Sequence, residues 1–352
     1  MKLTKRIFAL ALALCLILCL SISAFAEEKV YDDMSSVTLT KVYEAANSNT
    51  TSPEETFGFG EWVCTGIESA GVNPDTGKVV TKDDKDLPMP TIASVYYDEG
   101  DAGVEAKKTK EITITLPRYN AVGVYIYQVY ENDNGTAGVT YRKDPITLKV
   151  TVIEQNNKIR VAAVHTEGSG ETKSDTFTNT YSAGKLSISK TVTGNLGDKL
   201  KEFEFTVTFT KPEGKTVKSN ISYKTRATEQ DPTTISQSDW NSDGTLVKKI
   251  YLKNGETIEF TNIPYGVSYT VSETADANYT TKINNVDKTA TDGKISTDGK
   301  IEAAETTVAF ENRRDGNVDT GVYMDSLPYI LALAVALGGA VVLFTRKRHI
   351  EE

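Results

Sequence analysis

Period-two alternation constrains this chain more than any other feature of it. Ile112, Ile114 and Leu116 alternate with Thr; Ile146, Leu148, Val150 and Val152 alternate with Thr and Lys; Phe203, Phe205, Val207 and Phe209 alternate with Glu and Thr. Successive side chains of a strand point to opposite faces, so each segment predicts a strand with one buried face. Helical periodicity is hard to find between the two ends. Turn signals fall between the strands, among them Asn73-Pro74-Asp75, Asn134-Gly135, Asp243-Gly244, Asn254-Gly255, Asp292-Gly293 and Asp298-Gly299. Many short strands separated by such turns predict an all-β protein built of sandwiches.

The two ends read differently. Lys2, Lys5 and Arg6 precede an apolar stretch from Ile7 to Leu20, and Ala24-Phe25-Ala26 offers the small-x-small pattern of a signal-peptidase site, so residues 1–26 read as a cleaved signal peptide. A lipoprotein signal is the alternative, but Cys15 and Cys19 each follow Leu, where a lipobox has a small residue. At the other end, residues 315–352 form a tail with an apolar run of 18 residues, Leu327–Phe344, backed by Arg346-Lys347-Arg348. As a helix that run is about 27 Å long, enough for a bilayer core, with the basic cluster held on the cytoplasmic side. Just before it stands Val318-Asp319-Thr320-Gly321. An ordinary single-pass anchor is the plain alternative, although a short C-terminal anchor has no need of Thr-Gly at that place.

The length between the ends predicts two domains, 27–183 and 184–314. Cys64 alone remains there, so an exported chain forms no internal disulfide. The formal charge of −9 is spread along the chain and argues against nucleic acid or an anionic membrane surface as partner. Of the two histidines, His165 and His349, the second lies in the tail, which leaves too little for a hydrolase triad or a zinc site. Within the stretch Lys78 to Pro90, which reads as a loop or lid, Asp83-Asp84-Lys85-Asp86 lacks the ligand spacing and Gly of a calcium loop. No metal and no cofactor are expected.

Laying the halves side by side exposes a repeat. Each opens with a strand ending in Lys, Val37-Thr38-Leu39-Thr40-Lys41 and Leu186-Ser187-Ile188-Ser189-Lys190. Each has a later strand ending in Glu, Tyr127-Gln128-Val129-Tyr130-Glu131 and Tyr269-Thr270-Val271-Ser272-Glu273. Each closes on an aromatic followed two places later by Asn, Phe177-Thr178-Asn179 and Phe310-Glu311-Asn312. By the two-residue count, Lys41, Lys190, Asn179, Asn312 and Glu273 side with core residues. For Glu131 the count is undecided, because both faces of its strand carry apolar groups. A further Phe-x-Asn, Phe260-Thr261-Asn262, precedes Ile263-Pro264 and reads as part of a connecting turn.

A charged Lys or Glu in a core costs several kcal/mol unless paired or neutralised. Desolvation lowers the pKa of Lys and raises that of Glu, which makes the buried amine a neutral nucleophile and leaves the carboxyl protonated. The protonated Glu is expected to hydrogen-bond the Asn side-chain carbonyl and to shuttle protons as the amine attacks; ammonia leaves and an isopeptide bond remains. Fixed proximity supplies the effective concentration, so the chain needs no separate enzyme. The alternative is a buried Lys-Glu salt bridge with an Asn that only hydrogen-bonds.

The run Leu252-Lys253-Asn254-Gly255-Glu256 through Phe260 to Glu273, the Lys strands, the Asn ends and the Thr-Gly tail together resemble the streptococcal T-antigen type of Gram-positive, sortase-assembled backbone pilin. The segment Tyr269 to Tyr279 also resembles the E-box of other pilins, without the later Pro-x-Gly. The resemblance implies two tandem immunoglobulin-like β-sandwich domains and intramolecular Lys-Asn isopeptide bonds, Lys41 to Asn179 and Lys190 to Asn312, assisted by Glu131 and Glu273. It implies a sorting signal cut by a sortase between Thr320 and Gly321, with Val318 and Asp319 standing where the T-antigen type has Val and Pro. Thr320 would then be joined to a lysine on the next subunit, and Lys173 occupies the corresponding neighbourhood. The implied partners are a pilus-specific sortase, other copies of the chain, ancillary pilins and cell-wall peptidoglycan, at the surface of a Gram-positive bacterium. The protein is not expected to be an enzyme in the turnover sense. Two rivals stand beside the pilin: a monomeric wall-anchored adhesin that binds a host ligand through residues 44–110, and a surface hydrolase.

Overall fold

A computed structural model describes residues 32–316, apart from 49, 103–107, 169–172 and 226–231, together with residues 329–337. The signal peptide and the motif Val318 to Gly321 lie outside the described residues. So does half of the apolar run, whose residues 329–337 form a helix with exposed side chains. No helix among the described residues is long and apolar enough to cross a membrane.

The alternation becomes four main sheets in two sandwiches. In the first sandwich one sheet runs in the order Val139–Thr140, Thr176–Tyr181, Ser36–Ala45, Lys108–Thr115, Thr91–Ile92. It faces a sheet ordered Lys158–Glu167, Ile146–Gln155, Gly123–Val129, Val63–Glu68. In the second sandwich the larger sheet has Thr257–Pro264, Ala183–Thr193, Glu305–Arg313 and Thr280–Ile283 as its consecutive inner strands. The facing sheet is Thr245–Leu252, Phe203–Thr210, Ser268–Thr274, Lys294–Lys300. Strands such as Gly123–Val129 and Phe203–Thr210 bury every second residue, as the alternation requires.

Each sandwich has its own core. The first is rich in aromatic residues, with Tyr43, Phe57 and Tyr97 meeting edge to face at centroid distances of 5.2, 5.4 and 5.8 Å. The second centres on Phe205, Phe209, Phe260 and Phe310. In both, the opening strand carrying Lys lies directly beside the closing strand carrying Asn, and the two run parallel. A parallel neighbour cannot be reached by a tight hairpin. It is available here because the rest of each domain lies between these strands in sequence.

The domains interlock where Tyr181, Ser182 and Ala183 carry the chain across. Ala137 of the first domain packs into the core of the second, and Ala183 into the core of the first. The buried Glu55 carboxylate accepts hydrogen bonds from Thr136 Oγ1 at 2.5 Å and Asn134 Nδ2 at 2.7 Å and pairs with Lys218 Nζ of the second domain at 3.2 Å. Asn262, expected in a connecting turn, is instead part of the strand Thr257–Pro264, where its φ of 61° departs from the extended backbone around it. Its side chain accepts from Thr51 N at 3.0 Å and donates to Thr51 O at 2.9 Å and Asn220 O at 2.8 Å, so this Phe-x-Asn belongs to the domain junction.

Candidate functional site

The parallel pairing sets the geometry of both candidate sites in the same way. Lys41 stands opposite Phe177 and Lys190 opposite Phe310, each in register with the aromatic residue two places before the Asn. Asn therefore lies on the core face one two-residue step further along the neighbouring strand, about 7 Å away along the sheet. An extended Lys side chain spans that distance. Glu comes from the opposite layer: Glu273 from the strand Ser268–Thr274, and Glu131 from just beyond Gly123–Val129, where it bridges to Phe59. The side chain that the two-residue count left undecided points inward and is fully buried.

In the first domain Lys41 and Asn179 are each 1% exposed. The Lys41 ammonium contacts both Glu131 Oε1 and Asn179 Oδ1. Asn179 Nδ2 donates to Glu131 Oε2 at 2.7 Å and to the carbonyl of Thr140 at 3.0 Å, and the backbone N–H of Arg142 holds the same Glu131 oxygen at 2.7 Å. Lys41 Nζ sits 4.6 Å from the Phe57 ring centroid. Desolvation in these surroundings lowers the Lys41 pKa despite the attraction of Glu131, and the charge of Arg142 adds to the lowering.

The second site repeats the set. Lys190, Glu273 and Asn312 are each 1% exposed. Lys190 Nζ lies 2.9 and 2.8 Å from the two Glu273 oxygens and 4.1 Å from the Phe203 ring centroid. Asn312 Nδ2 donates to Glu273 Oε1, and Asn312 Oδ1 accepts from Thr281 Oγ1 at 2.8 Å. Burial brings the Lys190 pKa down to about 8 and raises that of Glu273. Both directions weaken the ionic form of the pair, as a nucleophilic amine requires.

The Glu was expected to hydrogen-bond the Asn carbonyl, yet at both sites it lies on the amide-nitrogen side. In the first domain the reason is plain: the Thr140 carbonyl accepts only, so it draws the NH2 group towards itself and towards Glu131. That position suits a carboxyl that takes a proton from the amine and hands it to the departing nitrogen. Thr140, Arg142 and Thr281 were missed in the sequence, because their roles come from backbone groups and cross-strand neighbours that no spacing reveals.

Lys173 is exposed and lies opposite Glu167 in an isolated bridge, with Ser174 N bonded to Thr166 O at 3.0 Å. It takes no part in either buried set. No group of His, Cys, Asp and Glu suited to a metal occurs among the described residues.

Residues 37–182 match the model of the Spy0128-like isopeptide containing domain, and residues 184–314 match a domain family of unknown function. The chain is 29% identical to a pilin of Streptococcus pyogenes serotype M1, over 94% of this chain and 96% of that protein. It is 36% identical to the pilus tip adhesin Cpa of the same species over 40% of this chain and 18% of the adhesin. A crystal structure of the major pilin from S. pyogenes superposes with a TM-score of 0.51 at 24% identity, covering 81% of this chain and all of that one. The major pilin T3.2 of that species gives 0.51 at 20% identity, over 81% of this chain and 99% of the other, a likeness of fold. Over nearly its whole length the chain is therefore similar to a streptococcal pilin, and its residues 37–182 match the Spy0128-like isopeptide containing domain.

Proposed function

We propose that the chain is the backbone subunit of a surface pilus, cross-linked within each domain and joined covalently to its neighbours. The observation that carries this reading is the pair of buried Lys-Glu-Asn sets, built twice on one register between the parallel opening and closing strands. In each, the uncharged amine attacks the Asn side-chain carbon, Glu carries the proton across, and ammonia departs as the Lys-Asn amide closes. A salt bridge accounts less well for the same residues, since burying an ion pair costs desolvation at two sites and yields little stability.

The outer steps follow from the tail. A sortase cuts between Thr320 and Gly321, releases the apolar run and passes the Thr320 acyl group to Lys173 of the next copy; the last subunit is passed to peptidoglycan. The wall-anchored adhesin has the Cpa likeness in its favour, but that likeness covers less than half of this chain, whereas the pilin likeness covers nearly all of it.

Mass spectrometry of a tryptic digest of wall material tests both levels. Branched peptides joining Lys41 to Asn179 and Lys190 to Asn312, each one ammonia lighter than its linear parts, are expected beside a third joining Thr320 to Lys173. Linear peptides at the first two positions would overturn the cross-links. Thr320 attached to another amine would overturn Lys173 alone, and a single band in place of a ladder on denaturing gels would favour the adhesin.

A further inference from the structure

The strand Glu305–Arg313 lies between two neighbours in its sheet, Ala183–Thr193 with the nucleophile on one side and Thr280–Ile283 on the other. In the antiparallel ladder with the second neighbour, Thr281 stands directly opposite Asn312. Thr281 is only 4% exposed, and its hydroxyl donates to Asn312 Oδ1 at 2.8 Å. Every other polar atom of the set has a different task. Glu273 holds the amine and the amide nitrogen, which leaves the carbonyl oxygen to Thr281 alone among the contacts described.

Resting on the cross-linking reading above, we propose that Thr281 is a catalytic residue of the second domain, the hydrogen-bond donor that stabilises the oxyanion formed on Asn312. As Lys190 Nζ adds to Cγ, the carbonyl electron pair moves onto Oδ1, where the Thr281 O–H already points. The proton lost from Nζ passes through Glu273 to Nδ2. The Cγ–Nδ2 bond breaks, the carbonyl re-forms and ammonia leaves, with no change of oxidation state. A preorganised donor aimed at a developing oxyanion in a water-excluded site is the arrangement that stabilises an acyl-transfer transition state most.

The first domain is built differently at this point. Its outer strand, Val139–Thr140, pairs with Tyr181 and Thr180 and ends one residue short of the place opposite Asn179. Asn179 Oδ1 receives the Lys41 ammonium instead of a hydroxyl. The two cross-links of one chain thus differ in their dependence on a side-chain donor, and each serves as the other's control.

The test follows both bonds in time during cell-free synthesis of the full chain, by quantifying the two branched tryptic peptides. Thr281→Val is expected to slow closure of Lys190 to Asn312 by about 100-fold, the usual effect of losing one oxyanion donor, and to leave Lys41 to Asn179 at its normal rate. Thr281→Ser, which keeps the hydroxyl, is expected to restore closure. Unchanged closure in Thr281→Val would overturn the proposal. So would Thr281→Ser as slow as Thr281→Val, a comparison that holds even if Val disturbs folding. Absence of the second bond in the unaltered chain would instead defeat the cross-linking reading itself.

Discussion

An amine with the ordinary lysine pKa of 10.5 is protonated in all but a few molecules in ten thousand at pH 7, whereas Lys190, brought down to about 8 by burial, is neutral in about a tenth of them. Closure of the second bond is therefore expected to speed up about tenfold per pH unit below pH 8 and to level off above it, as read from the branched peptide formed at each pH. The uncross-linked variant Asn312→Ala reports the same group through stability. Between about 8 and 10.5 its unfolded form still holds the Lys190 proton and its folded form does not, so stability climbs with pH across that window. Glu273, raised above 4.5, works in the other direction: its contribution is full below 4.5 and is lost as pH rises through the folded value. Denaturant midpoints of Asn312→Ala at a series of pH values check both slopes. At this scale much was legible, since Lys41, Lys190, Asn179, Asn312 and Glu273 share a face with alternating core residues, whereas Glu131, with apolar groups on both faces of its strand, needed the structure. Thr281 was not legible, because Thr is among the commonest strand residues and nothing near it in sequence marks the one that meets a carboxamide.

Strand pairing decides which inward-pointing residues meet. The spacing Phe-x-Asn fixed the face of Asn179 and Asn312, but their closeness to Lys depends on parallel neighbours separated by most of a domain. Periodicity is blind to such pairing, and the repeated order of residues was the available hint. Asn262 shows the limit of the pattern. It follows Phe260 at the same spacing, yet its backbone leaves the extended region at φ 61°, and its side chain takes up the backbone groups of Thr51 and Asn220. Asn tolerates that conformation better than most residues. Asn262→Ala is thus expected to cost about 2–4 kcal/mol, from lost buried hydrogen bonds and the strained φ together. The cost appears as a lower denaturant midpoint in the Asn179→Ala, Asn312→Ala background, where no cross-link masks it. With both cross-links present, the same substitution leaves the two ammonia losses untouched in the intact mass.

Across the whole molecule, the strand connections determine how tension would travel. A pull applied at Lys173 enters the strand Thr176–Tyr181, crosses the junction at Ser182 and runs up Ala183–Thr193 to Lys190. With the second bond closed, it steps to Asn312 and leaves along the chain towards Thr320. Residues 191–311 are bypassed, and between Thr176 and Lys190 the load runs almost entirely along strands that are already extended. The bond from Lys41 to Asn179 lies off this route, because Lys41 belongs to the opening strand, which nothing pulls. Under the proposed function the two cross-links have different duties, the second carrying load and the first holding the first sandwich together. In force spectroscopy with anchors at Lys173 and the Thr320 end, the unaltered chain and Asn179→Ala are both expected to resist without unfolding steps. Asn312→Ala is expected to release the bypassed residues, about 400 Å of chain at the usual reach per residue. Asn179→Ala should lower the denaturant midpoint of the first domain with little change in this pulling geometry. An Asn312→Ala chain that stayed inextensible, or an Asn179→Ala chain that lengthened, would show that tension takes another path.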